Sequence, residues 1–188
     1  NLSFWEVYKT FQQAAGLNFN KHQYNFAFKN LTYLVTYTRR AKMIESLKEF
    51  DVKVFGNGPW EKYVKGKVQY MGSCDLLESI SIVNKSKISL HLQPNQLVEG
   101  LHERVLNSCA VETFVLSTQN KSISESFGNT IDYFDFNNLN EKVEYYLKNE
   151  DERDLKAQEA YTITSNNHTW HNRAQSIMSL INQSAAHS

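Results

Sequence analysis

The sequence predicts an α/β protein: a Rossmann-like parallel sheet of about five strands flanked by helices, with a helical N-terminal segment and C-terminal helices. Three observations predict it. Short apolar runs bounded by glycine or polar turns recur from residue 52 onward. Stretches with apolar residues three to four apart separate them, the pattern of right-handed crossovers between parallel strands. The 188 residues are 41% apolar and 21% charged, enough for one domain with a real core and an appended helical piece.

The elements follow in order. Residues 4–15 place Phe4, Val7, Tyr8 and Phe11 on one helical face, and Gly16 is a natural stop. Residues 22–30 are ambiguous. Residues 31–50 allow a short strand through Tyr33, Val35 and Tyr37, but Leu34, Tyr37, Ala41, Ile44 and Leu47 keep helical spacing over the longer stretch, which favours a helix. Strands are expected at 52–55, 68–71, 88–92, 113–116 and 131–134. Helices are expected at 76–83 and 103–110, a short turn around 125–127, and helices again at 138–149, 151–165 and 169–182. This organises the chain as a mainly helical segment or linker (1–50), a Rossmann-like domain (51–183) and a patternless tail (184–188).

Composition narrows the function. The formal net charge is zero and no basic stripe stands out, which argues against a nucleic-acid partner. No window approaches the apolar length of a membrane span, and there is no signal-peptide pattern. Cys74 and Cys109 have neither metal-ligand nor disulfide-framework spacing, so a reducing, cytoplasmic location fits. The chain opens at Asn1 and reads as a fragment of something longer.

Open parallel sheets take ligands beyond the carboxyl ends of their strands. The residues just after the predicted strands are Gly56-Asn57-Gly58, Gly72-Ser73, the 93–104 loop and Ser117-Thr118. In KSKISLHLQPNQLVEGLHERVLNS, residues 85–108, an apolar run breaks into a loop carrying Glu99, Gly100, His102 and Arg104 where a helix begins. Glycine admits a ligand close to the backbone, and a helix start offers unpaired N–H groups and a positive dipole end. With Arg104 beside it, this corner has the makings of a phosphate cradle. The bland readings stand beside it: a Gly-x-Gly-Pro turn is often only a turn, and Arg104 can be a solvated helix residue.

The segments VKVFGNGPWEKYV, VQYMG and SKISLHLQP…EGLHERVLNSCAVETFVLST, then FDFNNLNEKVEYYLKNEDER and HTWHNRAQSI, resemble the C-terminal half of a GT-B glycosyltransferase. They are most similar to the group-1 and CgeB-like (spore maturation) branch, and the likeness covers about residues 50–182. The resemblance implies a donor domain for a nucleotide-diphosphate sugar, with the N-terminal acceptor domain missing and the acceptor itself unspecified. It implies that Gly56, Asn57 and Gly58 lie near the diphosphate and that Tyr70, Met71, Gly72 and Ser73 lie by the base. Glu99, Gly100, His102 and Arg104 would hold sugar and phosphates. Such enzymes generally need no metal for the donor, so no cofactor beyond the donor substrate is expected.

Two positions depart from that pattern. Group-1 enzymes often place a second Glu seven residues beyond the first; after Glu99 that position holds Asn107, a weaker acceptor than a carboxylate. The turn after the helix favours glycine in the family and holds Glu112 here.

The expected reaction is transfer of a sugar from the donor to an acceptor hydroxyl. Charge developing on the leaving diphosphate would be stabilised by N–H groups and Arg104, with His102 beside it, Glu99 on sugar hydroxyls and Asn107 on the ribose. Any general base would come from the missing domain. The rival reading is a degenerate, non-catalytic scaffold. A dehydrogenase fits less well, because no Gly-x-Gly-x-x-Gly leads into a helix.

Other residue groups have plainer readings. Arg39, Arg40 and Lys42 on a helix would be a solvated face. His168 and His171 have a metal-like spacing but no companion ligand, which favours packing at a helix start. Tyr145 and Tyr146 belong to an amphipathic helix.

Overall fold

The computed structural model describes residues 4–17, 20–95, 97 and 99–186. The chain divides into two compact units, residues 1–72 with 94–98, and residues 73–93 with 99–188. The fold is α/β and Rossmann-like, with parallel strands flanked by eight α-helices among the described residues.

The first unit begins with α1 (Phe4–Ala14), which stops before Gly16 at a φ of 63°. The next helix, α2 (Lys21–Ser46), confirms the helical reading of the following stretch and extends it back through the ambiguous residues. Its start is set by a capping box. Asn20 Oδ1 accepts the His22 and Gln23 N–H groups, each at 3.0 Å, and Gln23 Oε1 accepts the Asn20 N–H at 3.1 Å. Strands β1 (Val52–Val54) and β2 (Val68–Tyr70) pair in parallel, Val52 opposite Val68. Among the described residues, Ala41, Ile44, Leu47, Trp60 and Val68 are the buried apolar residues of this unit, and Tyr37 stacks on Trp60 with ring centroids 4.6 Å apart. Helix α2 shares that core with β1 and β2, and the first unit runs on through Gly72.

The second unit begins with α3 (Leu76–Asn84), capped by Asp75 and Glu78 in a second capping box. Strand β3 (Ile88–His91) leads through a loop to α4 (Glu103–Ala110), then β4 (Phe114–Thr118), α5 (Lys121–Phe127) and β5 (Asp132–Phe134). Helices α6 (Leu139–Lys148), α7 (Glu150–Asn167) and α8 (Trp170–Ala186) follow. The sheet order is β3-β4-β5, all parallel, with Leu90 opposite Leu116 and Leu116 opposite Asp132. Every residue of the central strand β4 is buried, as a parallel strand covered on both faces requires. Val105 and Cys109 of α4, Val115, Ile123, Phe127, Ile131 and Ala160 form one core cluster beside it.

Three expectations change. The five strands form two sheets, not one. In β1 and β2 the central residue is exposed between better covered neighbours, the mark of a small sheet with one covered face. The turn expected near 125–127 is a two-turn helix: Asn120 Oδ1 caps it at the Ile123 N–H, 3.2 Å away, and Ile123 and Phe127 are both buried. The C-terminal tail is helical as far as Ala186; residues 187 and 188 lie outside the described residues.

Candidate functional site

Helix α4 opens beyond the carboxyl end of β3, and its first turn carries the two residues expected to act on phosphate. His102 is the N-cap, in extended backbone, and its Nδ1 accepts the Arg104 N–H at 3.1 Å. With Nδ1 accepting, the neutral imidazole carries its proton on Nε2. Arg104 is exposed, and among the described residues no carboxylate lies within ion-pair distance of its guanidinium. Asn107 is half-buried and follows Arg104 by three residues, so both belong to one face of α4.

Glu99 is exposed in the loop before the helix. Gly100 has a φ of 107°, in the region that favours glycine, and its N–H donates to Ser122 Oγ of α5 at 2.7 Å. That bond ties the loop to the neighbouring strand-to-helix connection.

Beneath this corner lies a polar layer. His91, Gln93, Ser117, Thr118 and Asn120 are all buried. Thr118 Oγ1 accepts the Gln93 N–H at 2.9 Å, and Gln93 Oε1 pairs with His91 Nε2 at 2.9 Å. The His91 ring lies 5.1 Å from that of His102, centroid to centroid. His91 was hidden in the sequence because it closes an apolar run that reads simply as strand. A histidine at the last position of a buried strand is the signal that could have found it.

The remaining expected residues lie in the first unit, apart from exposed Ser73 in the second. Gly56 and Gly72 have φ values of 128° and 85°, and the Gly56 N–H donates to the Gly72 carbonyl at 2.8 Å. Nothing lies within 4 Å of where a Cβ on either would stand. Gly58 is different: a Cβ there would sit 3.0 Å from Trp60 Nε1, so indole packing explains it. Trp60 Nε1 also donates to the Asn57 carbonyl at 3.2 Å. Tyr70 donates its hydroxyl to the Gly56 carbonyl at 2.8 Å, and Met71 is exposed.

The minor candidates resolve structurally. Arg39 is half-buried and bonds to Asn95, so the basic stretch on α2 is not simply a solvated face; burial lowers the Arg39 pKa. His168 stacks on Phe127 at 5.6 Å, a packing role, and burial and then the charge of Arg173 lower its pKa. Tyr146 is core and Tyr145 flank.

Fold and site thus define a Rossmann-like α/β protein whose second unit gathers polar side chains beyond its parallel strands. The chain belongs to the glycosyl transferase-like family, whose model matches residues 39–179. No curated protein matches it. No helix of the described residues is long and apolar enough to cross a membrane.

Proposed function

We propose that the chain is the donor-binding, C-terminal half of a GT-B glycosyltransferase, of the CgeB-like branch, acting in the cytoplasm on a nucleotide-diphosphate sugar. The observation that carries this reading is the start of α4: a capped helix terminus at the carboxyl edge of β3 and β4, with Arg104 exposed on its first turn. A leaving diphosphate gains negative charge as the glycosidic bond breaks. The positive end of the α4 dipole, the Arg104 guanidinium and the His102 Nε2–H suit that charge, whereas the Arg104 and Val105 N–H groups are already engaged by His102 Nδ1 and the His102 carbonyl. Glu99, as a carboxylate, suits sugar hydroxyls, and Asn107 suits the ribose. The acceptor, a glycan, protein or lipid, would be held by an N-terminal domain that also supplies the general base, no metal takes part, and this chain alone binds donor weakly without turning over.

Calorimetric titration with UDP, GDP and their sugars tests it. Arg104→Ala is expected to lose about tenfold or more in affinity, the scale of one charge-assisted contact. Equal binding by both proteins removes Arg104 from the site.

Asn107 favours a second reading, a degenerate scaffold, since an amide replaces a carboxylate at the ribose position. Absence of binding to any nucleoside diphosphate, with the fold intact, selects it. Glu112 does not favour it, because the backbone there keeps the turn a glycine would make.

A further inference from the structure

His91 closes β3 and His102 caps α4 at the other end of the intervening loop, and their rings are neighbours. It is 5% exposed, at the last position of β3, with its ring centroid 5.1 Å from that of His102 and the planes tilted by 53°. That separation is within contact range for a pair of aromatic rings, so each ring limits the rotation of the other. The His91 ring is in turn held from behind: Gln93 Oε1 lies 2.9 Å from its Nε2, and the Gln93 N–H is bound by Thr118 Oγ1 at 2.9 Å. The far end of this chain is the His102 Nδ1 bond to the Arg104 N–H, 3.1 Å. A buried strand terminus, an amide, a hydroxyl from the central strand and two imidazoles therefore run in series to the first turn of α4.

We infer that His91 is a positioning residue for His102. Its ring walls the His102 imidazole and holds it in the orientation that caps α4 through Nδ1 and keeps the proton on Nε2. Without that wall the His102 ring turns about its side-chain torsions, the cap bond weakens, and both tautomers become populated. The consequence for ligand binding rests on the donor-site reading above; the positioning itself does not.

Two substitutions separate ring from hydrogen bond. His91→Phe keeps a ring against His102 and gives up both nitrogens. His91→Asn keeps a polar partner for Gln93 and removes the ring. Long-range 1H–15N spectra of the 15N-labelled chain read the His102 tautomer, with His102→Gln supplying the assignment. Titration with UDP reads binding.

Wild type and His91→Phe are expected to show His102 as a single Nε2-protonated form, and His91→Asn a mixture. UDP affinity should fall roughly three- to tenfold in His91→Asn and recover in His91→Phe. A single unchanged tautomer in His91→Asn, or equal disturbance by Phe and Asn, overturns the inference. If wild type binds no UDP, the donor reading fails and the tautomer comparison alone decides. Should His91→Asn not fold, His91→Leu, which fills the space without an aromatic ring, takes its place under the same two outcomes.

Discussion

The Thr113 N–H donates to the Ser108 carbonyl at 3.0 Å, closing the C-terminus of α4 around a left-handed residue. That residue is Glu112, with a φ of 54°, the one non-glycine with positive φ among the described residues, and its own N–H donates to the Cys109 carbonyl at 3.1 Å. The pair of bonds is a Schellman closure, whose left-handed position normally holds glycine. Glu112→Gly is expected to raise stability by about 1 kcal/mol, the left-handed penalty less the added freedom of the unfolded chain. Urea unfolding reads it; Glu112→Val should move the midpoint the other way.

Gly66 is fixed by close approach. Its φ is 61°, and a Cβ there would stand 2.2 Å from the Lys48 carbonyl oxygen, the acceptor for the Lys67 N–H at 2.8 Å. Gly66→Ala should cost about 2–4 kcal/mol, from strain and the displaced carbonyl. Gly72→Ala, at a φ of 85° with nothing within 4 Å, should cost only about 1 kcal/mol. Equal thermal shifts in the two variants would remove the clash as the cause.

Asp132 makes stability depend on acid. Burial pushes its carboxyl up, but the Lys142 ammonium at 2.6 Å, the Tyr133 N–H at 2.7 Å and the Tyr146 hydroxyl at 3.0 Å together hold it below its ordinary value. A depressed folded pKa stabilises fully above the unfolded value of about 3.9, and the contribution is lost as pH falls through the folded one. Asp132→Asn should therefore lose about 1–3 kcal/mol near neutral pH and show a shallower acid limb than wild type. Urea midpoints followed from neutral pH into acid would expose the failure as two parallel curves.

The two thiols should differ in reactivity. Cys109 is fully buried in the core beside β4, and burial pushes its pKa up to about 12. Cys74 is half-buried. A thiol-specific reagent at neutral pH should modify Cys74 in the native protein and reach Cys109 only on unfolding. Two reactive thiols before any loss of structure would contradict the packing of α4.

Periodicity made most elements legible. Helix α4 runs over the residues its spacing predicts, and each expected strand forms within a residue or two of its predicted ends. The long helix α2 was readable because a pattern sustained over several turns outweighs a short alternation. Helix α5 was not, since Lys-Ser-Ile-Ser-Glu-Ser-Phe has only two apolar residues and its start depends on the Asn120 cap.

The amino-acid sequence by itself determined the α/β alternation, the polar corner after β3 and the placement of Arg104 and His102 at a helix start, because these follow from local spacing and backbone chemistry. Only the tertiary structure decided that the strands part into two sheets, that Glu112 takes a glycine's conformation, and that His91 stands against His102. Those outcomes depend on which buried faces meet across the fold, and no local stretch of sequence encodes that meeting.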